Sequence, residues 1–186
     1  MSNQGSTLVQ ITRRTEFGFA RTECACHECQ QHCRHVPGYL IPDDIERISR
    51  HLSYTNIGEF AFDWLLASPG ATVMGAGGRI FQIPTLVPRR KEEDNSCAFL
   101  DPDGRCSIHA VSPFGCSHFD CRQSHEEANR RSSRGLQEIA RHWAAATASS
   151  YTFLWHLLYA AGRRAIPPHI ARRQMPLGQL QPYGKK

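Results

Sequence analysis

The run Cys24-Ala-Cys26-His27-Glu28-Cys29-Gln-Gln-His32-Cys33 places four thiols and two imidazoles within ten residues. Its neighbours are Glu, Gln, His and Arg, so the packing of a small hydrophobe does not explain these cysteines. The thiolate is the metal-ligating form of cysteine, and thiolates a few residues apart can close around one ion. A second group, Cys97, Cys106, Cys116 and Cys121, is too widely spaced for local chelation and needs the fold to gather it. Two arrangements satisfy the counts. Each group forms its own four-ligand site, or both groups contribute to a shared one.

The first group reads C-x-C-x2-C-x3-C. Cys26, Cys29 and Cys33 match part of the bacterial ferredoxin run C-x2-C-x2-C-x3-C-P, but Cys24 is one residue out of step and Arg34 stands in the place of Pro. The chain therefore carries no ferredoxin signature. Thiolates suit both iron and zinc. An iron–sulfur cluster or iron centre is the favoured expectation, with a zinc-stabilised module for protein interaction as the alternative. His32, inside the motif, joins the eight cysteines as a candidate ligand. His27, His35, His109 and His118 lie close enough in sequence to orient thiolates, whereas Glu28 and Asp120 read as solvated carboxylates. No catalytic residue and no substrate can be read from the sequence.

Helices and one turn must position these groups. Pro42-Asp43-Asp44 opening a stretch with Ile45, Ile48 and Leu52 at helical spacing predicts a helix over 42–52. Asn56 as a cap, with Glu59 three residues on, predicts a second over 56–67, ending at Ser68-Pro69-Gly70. Residues 71–88 read as short strands broken by glycines, and a short strand is expected near Leu8–Thr12. Asp101-Pro-Asp-Gly104 predicts a tight reversal and a small β-hairpin that brings Cys97 towards Cys106. A long helix is expected over 134–162. Residues 144–161 carry no formal charge, but their Thr, Ser and His favour a buried core helix over a membrane span.

The chain of 186 residues fits a single mainly α domain with a small β-hairpin, stapled by metal. The expected divisions are a flexible leader over 1–20, the cysteine-cluster domain over 21–162 and a basic, Pro-containing tail over 163–186. That tail holds six of the cationic residues and no acid, leaving a nearly neutral body. It suits a protein partner or subunit contact, while its lone aromatic, Tyr183, argues against specific nucleic-acid recognition. No secretory signal is visible, and eight thiols without one point to a reducing, cytoplasmic compartment.

Cys26-x2-Cys29-x2-His32-Cys33, followed by Cys97-Ala-Phe99-Leu100, Gly104-Arg-Cys106-Ser-Ile108 and Pro113-Phe-Gly-Cys116, resembles the bacterial YkgJ-type cysteine-cluster family, the CxxCxxCC zinc- or iron-chelating domain. The resemblance spans about 22–125 and includes the intervening helix with Asp44 and Arg47. His32 replaces the third signature cysteine, and Cys24 is a candidate substitute for the missing thiol. The resemblance implies metal chelation, in members labelled either iron–sulfur oxidoreductases or zinc-binding proteins.

Overall fold

The computed structural model describes residues 15–21, 26–74, 78–119, 121–145 and 149–165. Thr15–Glu16 (β1) and Phe19–Ala20 (β2) pair antiparallel through a turn in which Phe17 and Gly18 both take positive φ. His27–His35 (α1) carries the cysteine run, Pro42–His51 is α2 and Ile57–Trp64 is α3. Leu65–Met74 (β3) and Ile80–Pro88 (β4) form an antiparallel ribbon. After a long irregular stretch come Phe114–Ser117 (α4), His125–Ala144 (α5) and Ser150–Ala160 (α6). The described residues thus hold six α-helices and two two-stranded antiparallel sheets.

The apolar core forms where α2, α3 and α6 close over the β3–β4 ribbon. Ile45 and Ile48 from α2, Phe60 and Ala61 from α3, Leu65, Ala67 and Leu86 from the ribbon, and Leu154 and Leu158 from α6 are all buried. Tyr151 sits at its centre. Its hydroxyl donates to the Leu40 carbonyl at 2.9 Å and accepts from the Leu86 N–H at 2.8 Å. Buried main-chain groups cost free energy unless they are partnered, so this one phenol satisfies two of them. At the ribbon's edge Trp143 and Trp155 donate to the carbonyls of Pro84 and Ser68.

Several expectations change. The helix expected over 56–67 starts correctly at the Asn56 cap, whose Oδ1 accepts from Gly58 and Glu59, but it stops at Trp64. Leu65, Leu66 and Ala67 are instead drawn into β3, where they pair with Pro88, Val87 and Leu86. Ser68-Pro69-Gly70 is an irregularity within that strand rather than a helix terminus. Proline has no N–H for a ladder, and Gly70, at φ +94°, lies so close to Ile83 that a Cβ would meet its carbonyl oxygen at 1.7 Å.

The single helix expected over 134–162 is two. Ser124 caps α5 by accepting from Glu127, and Ser149 caps α6 by accepting from Thr152. The hairpin expected around Asp101–Gly104 reduces to a tight turn with one bridge, Leu100 to Cys106, while the extended ribbon is β3–β4. The cysteine run was given no secondary structure and is helical. No described helix is long and apolar enough to cross a membrane. The strand expected near Leu8–Thr12 and most of the basic tail lie outside the described residues.

Candidate metal centre

Helix α1 contributes Cys29 and Cys33, one turn apart, and Cys26 stands just before its first residue. Few of its side chains are apolar, so little packing energy favours this helix in isolation. What fixes its place is contact with the segment from Cys97 onward. The Cys97 N–H donates to the Cys33 carbonyl at 2.8 Å. Upstream, Arg90 reaches the His35 carbonyl and pairs with Cys97 through a bridge. The Asp101–Gly104 turn then reverses the chain: Gly104, at φ +81°, donates to Asp101, and the Asp101 N–H to the Arg105 carbonyl.

Cys116 rides on the short helix α4, which is held against the chain after α1 by close backbone contact. Gly115 donates to the Tyr39 carbonyl at 3.0 Å, and Gly38 donates to Cys116 Sγ at 3.2 Å. A Cβ on Gly38 would lie 2.3 Å from the Gly115 carbonyl carbon, so no larger residue fits without moving backbone. The buried Asp44 carboxylate ties this arrangement to α2. It accepts from the N–H groups of Ile41 and Phe114, both at 2.8 Å, and pairs with Arg47. Burial, opposed by Arg47, raises its carboxyl to about 7.

The eight cysteines do not divide as the sequence does. Cys26, Cys29 and Cys121 form a triad with all three Sγ atoms within 4.8 Å of one another. Cys26 and Cys121 are 3.3 Å apart, and the Cys121 N–H points at Cys29 Sγ at 3.4 Å. Cys121 is exposed and the other two are half-buried. Metal–sulfur bonds of about 2.3 Å in a tetrahedron set sulfurs about 3.8 Å apart, so the triad suits three thiolates on one ion. Cys33, Cys97, Cys106 and Cys116 instead surround a cavity of about 500 Å³, walled in part by Val36, Pro37, Phe99, Leu100 and Ile108.

Burial dominates the thiols of this tetrad. It pushes Cys97 up to about 12 and Cys106 up to about 11, and it raises Cys116 furthest, with Cys97, Cys33 and Cys106 adding to the effect. Cys33 is raised by burial against the opposing charge of Arg34. Each group found in the sequence therefore feeds both clusters. The first supplies Cys26 and Cys29 to the triad and Cys33 to the tetrad, and the second supplies the rest.

Of the remaining candidates, His27 and His35 both engage Gln31 along the α1 surface, at 3.0 and 3.1 Å. His118 is buried, stacks on Phe114, bonds Ser117 at 2.7 Å and lies 3.5 Å from Glu16. His109 lines the cavity, its carbonyl accepting from Arg21. Cys24 and Asp120 lie outside the described residues, as do the side chains of Glu28 and His32. Sequence reasoning missed Arg21 and the bracing roles of Gly38, Gly115 and Asp44. Gly38 and Gly115 precede Tyr39 and Cys116 in sequence, and only their contact across the fold gives them meaning.

A family model described as "CxxCxxCC: Putative zinc- or iron-chelating domain" matches residues 25–134. The chain belongs to this family, and its clustered cysteines are those of a metal-binding domain. No curated protein and no solved structure matches the chain.

Proposed function

We propose that this protein holds an iron ion at Cys26, Cys29 and Cys121 and uses it for one-electron transfer or in support of a modification reaction. The carrying observation is that three thiols from two distant parts of the chain converge within 4.8 Å at the surface. Structural sites are closed by four protein ligands, whereas reactive sites keep one position open. A triad with Cys121 exposed has the second character. Cys24 and His32 are the candidates for a fourth protein ligand. His32 lies on α1 three residues beyond Cys29, in the order of the family motif.

A zinc-stabilised interaction module is the second reading. It is favoured by the long separation of Cys26 and Cys121, because a metal closing so long a loop contributes folding free energy without any chemistry. Metal and acid-labile sulfide analysis with a visible spectrum, on protein purified without oxygen, separates the two. Iron at the triad supports the reactive reading. Stoichiometric zinc in a colourless protein overturns it and leaves the cysteines as scaffolding.

A further inference from the structure

We propose that Cys33, Cys97, Cys106 and Cys116 form a second centre, separate from the triad, which takes a polynuclear iron–sulfur cluster. The donor set is four thiolates from four separate places in the chain, facing one cavity of about 500 Å³. Among the described residues, the ligand atoms that gather in threes within 4.8 Å are those of Cys26, Cys29 and Cys121. The tetrad sulfurs thus stand wider apart than one tetrahedral ion requires, while still lining a common space. That spacing suits a body larger than one ion. Soft thiolates also select iron–sulfur clusters.

The surroundings agree with this assignment. The wall is largely aliphatic and aromatic, with Phe99, Leu100 and Ile108 buried, and such a shell limits solvent access to a cluster. The Gly38 N–H is already aimed at Cys116 Sγ, the kind of hydrogen bond that stabilises a cluster thiolate. Each ligand is positioned by protein contacts. Cys33 is held by α1, Cys97 by its N–H on Cys33, Cys106 by the Leu100 bridge, and Cys116 by the Gly38–Gly115 contact. The raised thiols mean that the metal-free cavity holds them neutral, so a cationic core is what would draw out their thiolate forms.

The two centres share only helix α1, where Cys29 and Cys33 are neighbours one turn apart. They can therefore be emptied separately. The experiment uses the full chain, purified without oxygen, as wild type, as Cys26→Ser with Cys121→Ser, and as Cys97→Ser with Cys116→Ser. Iron, zinc and acid-labile sulfide are counted, and alkylation by iodoacetamide under native conditions is mapped by mass spectrometry. The expected result is that the triad variant loses one ion but keeps its sulfide, its visible absorption and the protection of all four tetrad thiols. The tetrad variant loses the sulfide.

Loss of sulfide together with all metal in the triad variant would show one shared centre and overturn the proposal. Zinc without sulfide behind protected tetrad thiols, or free alkylation of those thiols in the wild type, would overturn it too. Should the tetrad variant fail to fold, the wild type and the triad variant alone decide the matter. An unchanged ion count in the triad variant, with sulfide retained, removes the triad reading and leaves the cluster standing.

Discussion

The two halves of the molecule hold their shape by different means. In one, α2, α3 and α6 close over the β3–β4 ribbon, and residues such as Ile48, Phe60, Leu86 and Leu158 are wholly buried. Burial of such side chains is worth about 1.5–3 kcal/mol each, enough to hold the elements without outside help. In the other half α1 is polar, and the stretch from Arg89 to Pro113 is almost wholly turns, bridges and one short 3-10 turn. That half relies on directed contacts between backbones, and on thiols gathered where a metal can join them. A packed half can tolerate loss of its metal. A half whose strongest ties are thiolate–metal bonds cannot.

Removing metal should divide the molecule along this line. Chelation under reducing, oxygen-free conditions is expected to abolish hydrogen-exchange protection in residues 26–38 and 97–121 while Leu86 and Leu154 keep theirs. Uniform loss of protection would show that the two halves form one cooperative unit. The same experiment run against pH tests the buried thiols. With Cys97 near 12 and Cys106 near 11 in the metal-free protein, both are protonated at neutral pH and each must release a proton on binding. Apparent affinity should therefore rise with pH from about 6 to 9 and fall on acidification, with proton uptake or release read by calorimetry in buffers of different ionisation enthalpy. A pH-independent affinity would argue against thiolate ligation by these residues.

Substitutions sharpen the contrast at single positions. Gly38→Ala puts a methyl 2.3 Å from the Gly115 backbone, so it should cost about 1–3 kcal/mol or more and loosen metal retention at Cys116. Thermal melts with and without metal would measure it. Tyr151→Phe removes the acceptor of the buried Leu86 N–H and should cost about 1–3 kcal/mol with metal content unchanged. Loss of metal in that variant would mean the core also sets the metal site. Smallest, Asn56→Ala removes the cap of α3 and is expected to cost about 1 kcal/mol in denaturant titration, again without change in metal.

The helices were legible where their ends are marked. Pro42 with Asp43 and Asp44 marked α2, and Asn56 marked the start of α3, because caps and first-turn charges act locally. The end of α3 was not legible. Leu65–Ala67 continue its apolar pattern, and only pairing with Leu86–Pro88 across the ribbon overrides that preference. The break between α5 and α6 was hidden in the same way, since Ser149 sits in a continuous stretch of small and apolar residues. Asp44 and Arg47 were visible as residues of the second helix, but not the contact from Asp44 to Phe114.

By itself the sequence determined that this is a cysteine-rich, metal-chelating chain, because thiol type and motif spacing are properties of residues close together along the backbone. It also determined that the Asp101–Gly104 reversal brings Cys97 and Cys106 to one region, since turn chemistry is local. Which thiols keep company was decided by the tertiary structure alone. Cys29 and Cys33 are four residues apart on one helix, yet Cys29 meets Cys121 whereas Cys33 faces Cys97 and Cys116. The division arises because α1 presents adjacent positions to two different parts of the later chain. One is the exposed segment after α4. The other is the cavity closed by the contact of Gly38 with Gly115.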